Sequence, residues 1–113
     1  MYTIYHNPRC RKSREALALV EGTSEEVVII NYLKTPPSIE ELTLVLTKLD
    51  MRPQEIIRKN ESLFKDMYKG KVFSDNEWVQ ILVDNPILIE RPIVIKGQRA
   101  VLGRPIANVA DLL

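Results

Sequence analysis

"YTIYHNPRCRKSREALALVEG", residues 2–22, is the stretch on which the fold turns. Its first four residues are aromatic or β-branched and stop at Asn7-Pro8, the pattern of a short strand closed by a turn. Ser13, Ala16, Leu17 and Val20 then recur at helical spacing as far as Gly22. Strand, turn and helix are therefore expected in that order. The next apolar run, "VVIINY" (residues 27–32), is continuous rather than alternating, as in a strand covered on both faces. Read as a central parallel strand, it completes a βαβ unit.

Working outward, Pro36-Pro37 break the chain, and Ser38 with Glu41 forms a capping-box pattern ahead of Ile39, Leu42, Leu46 and Leu49 on one helical face. From about residue 53 to 86 no strand-like run occurs. Three short helical segments are expected there: "PQEIIRK", "ESLFKDMYK" ended by Gly70, and "DNEWVQILVD" behind a Ser74/Glu77 capping pair. The chain then returns to β structure with "IVIK", a Gly97-Gln98 pair suited to a type II′ hairpin, and "RAVL". Pro105 opens a terminal helix through "IANVADLL". The resulting order predicts an α/β domain, residues 1–113, in which one mixed sheet combines a parallel pair with an antiparallel hairpin and carries a helical insert. A sheet of this kind holds its ligand at the carboxyl ends of the strands.

The totals narrow the function. A chain of 113 residues is long enough to bury a core without disulfides or metals, and 45% hydrophobic with 27% charged residues is ordinary for a globular domain. Sixteen basic against 15 acidic side chains leave a formal charge of +1, so neither nucleic acid nor an anionic membrane is an expected partner. No apolar run approaches the roughly 20 residues of a spanning helix, and "MYTIYHNPRC" lacks the order of a signal peptide. A cytoplasmic chain is expected. Cys10 is the only cysteine, so any redox cycle it enters must borrow a second thiol from another molecule.

In the predicted scheme Cys10 sits where the first strand has ended and the first helix begins. Free backbone N–H groups and the positive end of the helix dipole favour an anion there, and Arg9, Arg11, Lys12 and Arg14 add positive charge. A thiol with a reference pKa of about 8.5 is roughly 3% ionised at pH 7, and a drop of about two units makes the thiolate the majority form. The same residues also fit a small half-buried cysteine behind a solvated basic face. His6, the only histidine, fits a satisfied polar strand end, or a partner that hydrogen-bonds or charge-stabilises the sulfur through the loop. Other site types are excluded by counting. A Cys-X5-Arg loop needs arginine where Ala16 stands, a Cys-X-X-Cys dithiol needs cysteine at Ser13, and one Cys with one His is too few for zinc. The glycines form no phosphate-cradling pattern.

Three further arginines stand near stiff backbone: Arg58 in "IIRKN", Arg91 in "ERPIV" and Arg104 in "GRPI". The last two directly precede proline, which restricts the backbone that carries them. Guanidinium forks match tetrahedral oxyanions. Each arginine is equally compatible with a surface position, and spacing alone does not bring the three together.

Taken in order from Tyr2 to Ile106, "IYHNPRCRKSR", "NYLKTPP", "IIRKN", "NPILIERPIV" and "GRPI" closely resemble the glutaredoxin-coupled arsenate reductase family and its unassigned relatives. The motif His-X3-Cys-X3-Arg falls on His6, Cys10 and Arg14. The resemblance implies a thioredoxin/glutaredoxin-like fold with the helical insert and a cis Arg91-Pro92 bond facing the thiol. It also implies that Cys10 attacks arsenate, that Arg58, Arg91 and Arg104 hold the oxyanion, that His6 helps lower the thiol pKa, and that Arg14 anchors the loop or the anion. The implied enzyme is a cytoplasmic monomer that binds no cofactor, uses glutathione as co-substrate and has glutaredoxin as partner. Arg11 departs from the pattern, since reductases of the family often carry a small residue there. Two alternatives share the fold: a glutathione-linked thiol oxidoreductase acting on another substrate, and an RNA-polymerase-binding regulator, whose redox switch typically needs a second cysteine where Ser13 stands.

Overall fold

The computed structural model describes residues 1–113. In chain order its elements are β1 (Tyr2–Tyr5), α1 (Arg11–Glu21), β2 (Val27–Ile30), α2 (Ile39–Leu49), α3 (Ser62–Met67), α4 (Asp75–Asp84), β3 (Ile93–Lys96), β4 (Arg99–Leu102) and α5 (Ala107–Ala110). They fall into two compact units, residues 1–35 with 91–113 and residues 36–90.

The first unit is built on a four-stranded sheet in the order β2-β1-β3-β4. β1 runs parallel to β2, with Tyr2 opposite Val27, and antiparallel to β3, with Tyr5 opposite Ile93. The β3-β4 hairpin closes at Gly97, whose φ of 60° is the left-handed conformation that glycine adopts without a Cβ clash. Tyr2 and Ile4 of β1 bury the same face as Val94 of β3. Ala16 and Val20 of α1, one turn apart, meet them there together with Val109 and Leu112 of the C-terminal turns. Each large apolar side chain sealed in this way contributes about 1.5–3 kcal/mol, which fixes α1 against β1 and so fixes the loop between them. This is the mixed sheet with helices and an insert that the sequence predicts.

Two expectations need correction. "VVIINY" is not a central strand: β2 covers only Val27–Ile30 and lies at the edge of the sheet, leaving Val28 and Ile29 37% and 48% exposed. Composition reports that a run is β-prone and apolar, but not which of its backbone edges is paired, and β1 takes the inner place because it bonds to both β2 and β3. The C-terminal helix is a single turn, Ala107–Ala110, flanked by i to i+3 hydrogen bonds such as Asn108 N to Pro105 O at 3.0 Å.

In the second unit α2 starts with the predicted capping box: Glu41 N donates to Ser38 Oγ and Ser38 N to Glu41 Oε1, both at 3.1 Å. Leu42, Val45, Leu46 and Leu49 are buried, whereas Ile39, in the first turn, is exposed. α4 repeats the device with Ser74 and Glu77 and packs on α2. "PQEIIRK" is only partly helical, a 3-10 turn over Pro53–Ile56, after which Ile57 forms an isolated antiparallel bridge with Ile89. α2 groups with the helices of the expected insert in this compact unit, residues 36–90.

Candidate active site

The loop between β1 and α1 is wound tightly by its own hydrogen bonds. Cys10 N donates to Asn7 O at 3.0 Å, and Arg9 N to the Asn7 side-chain oxygen at 3.0 Å. Asn7 thus supplies the acceptors of an Asx-type turn, and Cys10 is left as the N-cap of α1 with extended backbone (φ −98°, ψ 122°). Its side chain is half-buried. The sulfur makes no capping hydrogen bond, but the backbone N–H groups of Lys12 and Ser13 in the first turn lie on its side of the helix start and favour its anion.

Two guanidinium groups reach the same atom. Arg104 Nη2 lies 3.5 Å from Cys10 Sγ, while Arg104 Nε donates to the Arg91 carbonyl at 2.7 Å. Arg91 interacts with the sulfur and with Tyr32. Its Nε and Nη1 are buried and meet no hydrogen-bond partner. Burial pushes the Cys10 thiol up, but the Ser13 backbone N–H, the hydrogen bond and charge of Arg91, and the Lys12 backbone N–H together hold it below its ordinary value. The converse holds at Arg91: burial works against its charge, yet Cys10 and Tyr32 raise its pKa.

The two Arg-Pro segments meet because glycine precedes the second. Gly103 N donates to Pro92 O at 2.8 Å, and a Cβ on Gly103 would lie 2.5 Å from Pro92 Cγ. Both Arg91-Pro92 and Arg104-Pro105 are cis, where the resemblance implied only the first.

His6 is buried at the end of β1, and its Nδ1 lies 2.6 Å from Ser13 Oγ, which also accepts Asn7 N at 3.0 Å. Burial, then the charge of Arg14, lowers the His6 pKa and outweighs Glu21 and Ser13. The groups that act on the thiol are Ser13, Lys12 and Arg91, and His6 reaches the loop through the Ser13 hydroxyl. Arg14 is exposed and donates through Nη1 to Pro8 O at 3.0 Å, holding the loop. Arg11 pairs with Glu15 along the helix. Arg58 belongs to the second unit, where its Nε donates to Glu61 Oε1 at 3.2 Å. Among the described residues no three His, Cys, Asp or Glu side chains gather to hold a metal, and no helix is long and apolar enough to cross a membrane.

Sequence reasoning missed Ser13, Tyr32 and Gly103 as parts of this site. Ser13 left one signal, a polar residue on the stripe of α1 that must be buried. Tyr32 and Gly103 fall inside the motifs "NYLKTPP" and "GRPI", but their contacts could not be read there because their partners are remote in the chain.

Residues 5–112 match the model of the ArsC family. The chain belongs to that family. An arsenate reductase of Neisseria meningitidis serogroup A is 37% identical over 112 residues, covering 97% of this chain and 96% of the relative. The uncharacterized protein YfgD of Escherichia coli is 39% identical over 112 residues, covering 97% of this chain and 94% of its own length. Among solved structures, the arsenate reductase of Vibrio cholerae superposes with a TM-score of 0.93 at 39% identity, over 99% of this chain and 97% of that one. The ArsC-family match makes the fold thioredoxin-like with a helical insert, and Cys10, as the chain's only cysteine, is the only thiol that the family's chemistry can use.

Proposed function

We propose that this ArsC-family protein reduces arsenate to arsenite through a Cys10 adduct resolved by glutathione and glutaredoxin, acting as a cytoplasmic monomer in which residues 1–113 work as one domain. The observation that carries the reading is a sulfur at the start of α1 with the Arg91 and Arg104 guanidinium groups beside it, and with two nitrogens of Arg91 still without a partner. Such donors suit the oxygens of a tetrahedral oxyanion bound against a nucleophile.

The Cys10 thiolate attacks arsenic(V), an S–As bond forms, and one arsenic oxygen leaves as water. Arg91 and Arg104 neutralise the oxyanion that would otherwise repel the thiolate. A glutathione thiolate then attacks the Cys10 sulfur. The S–S bond forms as the S–As bond breaks, its electron pair stays with arsenic, and arsenite departs. Glutaredoxin attacks the glutathione sulfur of the mixed disulfide, so Cys10 returns as thiolate. His6 positions the loop through Ser13, and Arg14 anchors it through Pro8. The resemblance assigns Arg58 to the oxyanion as well, and a separate Arg58→Ala variant tests that assignment through the KM for arsenate.

The test is arsenite formation with glutathione and glutaredoxin supplied. Cys10→Ser is expected to lower it at least 1,000-fold, as for loss of a nucleophile. Equal activity in the variant overturns the proposal.

A further inference from the structure

We infer that the cavity between the nucleophile loop and the segment after β2, lined by Asn7, Pro8, Arg9, Asn31, Leu33 and Lys34, seats the reducing thiol, a peptide-like molecule with two carboxylates of the glutathione class. The inference rests on the reading that an external thiol resolves Cys10.

Size admits a ligand larger than an oxyanion. The cavity measures about 280 Å³, room for roughly nine waters at about 30 Å³ each, and approaches the lower bound of small-molecule pockets at about 300 Å³. That volume is of the order of a tripeptide rather than of a single tetrahedral oxyanion.

Charge sets the class. Arg9 and Lys34 are both exposed, neither side chain makes an ion pair, and no acidic residue lines the cavity. Neighbouring Arg11 and Arg14 are already engaged with Glu15 and Pro8 O. The Asn31 carbonyl accepts the amides of Lys34 and Thr35 at 3.0 and 2.9 Å, a turn that fixes the backbone carrying Lys34 just after β2. The Asn31 side chain has no hydrogen bond of its own and can serve the amides of a peptide, while Leu33 and Pro8 offer apolar surface.

Position sets the reactive end. Arg9 is the residue before Cys10, about 3.8 Å away at Cα, and Asn7 O holds the Cys10 amide. A tripeptide spans about 10 Å, so a central thiol can stand at Cys10 with one carboxylate toward Arg9 and the other toward Lys34.

The experiment follows reaction of Cys10 with glutathione disulfide, which needs no arsenate. The Cys10 thiolate attacks one sulfur, the old S–S bond breaks, a Cys10-glutathione disulfide forms, and a glutathione thiolate leaves. The rate is divided by that for the neutral 2-hydroxyethyl disulfide, which cancels any change in thiol pKa or nucleophilicity. Lys34→Glu and Arg9→Glu are each expected to lower this ratio about five-fold or more, and Arg11→Glu, on the other side of Cys10, less than two-fold. Equal falls in all three variants would reduce the effect to diffuse charge steering and overturn the site, as would no fall in the first two. If the wild-type protein forms no arsenite, the proposed reaction fails while this ratio still reports on the cavity.

Discussion

At the scale of single residues, Cys10 and His6 divide the work of the loop. The position of Cys10 at a strand-to-helix junction was legible in Asn7-Pro8 and in the stripe of Ser13, Ala16 and Val20. The source of its positive surroundings was not. Arg11 and Arg14, beside it in sequence, bond to Glu15 and Pro8, whereas the guanidinium groups at the sulfur come from Arg91 and from Arg104, 94 residues away. His6 is a buried base whose pKa is lowered by burial and by Arg14. Protonation is therefore easier in the unfolded chain, with its ordinary pKa of about 6.5, and the stability contributed by neutral His6 is complete above that pH and lost as pH falls toward the folded-state value. The depressed carboxylates of Glu25, Asp75 and Glu77 act in a lower window, below about pH 4.5. Thermal melting should accordingly show Tm dropping as pH falls below about 6.5, and dropping less in His6→Asn. A parallel decline in both proteins would remove His6 from the account.

At the scale of elements, the site depends on two chain segments, each an Arg-Pro pair, lying against one another. Gly103 permits the approach, since its absent Cβ would stand 2.5 Å from Pro92 Cγ. Gly103→Ala is expected to cost about 1–3 kcal/mol in urea unfolding, as for overpacking of a filled interior. It should also raise the pH midpoint of Cys10 alkylation, because Arg104 bonds to the Arg91 carbonyl and to the sulfur together. A loss of stability with an unmoved midpoint would leave Gly103 a purely structural residue. Elements with local signals were legible, such as the Ser38 and Ser74 capping boxes and the Gly97 hairpin. The edge position of β2 and the Ile57-Ile89 bridge were not, because strand pairing is settled by partners distant in the chain.

At the scale of the whole molecule, the sheet brings residues from both ends of the sequence to one sulfur, and the rest of the redox cycle is left to other molecules. With Cys10 as the only cysteine of the 113 residues, any disulfide it forms joins it to another molecule. Family resemblance was legible at this scale because its motifs run nearly the length of the chain, and the ArsC family match over residues 5–112 agrees. The proposed chemistry requires Cys10 to be a thiolate in a site that also accepts arsenate. Alkylation of Cys10 as a function of pH, with and without arsenate, measures it directly. The expected midpoint lies below that of a free cysteine, about 8.5, and moves upward when arsenate occupies the arginines and sets negative charge beside the sulfur. A midpoint at or above that of free cysteine, indifferent to arsenate, would contradict it.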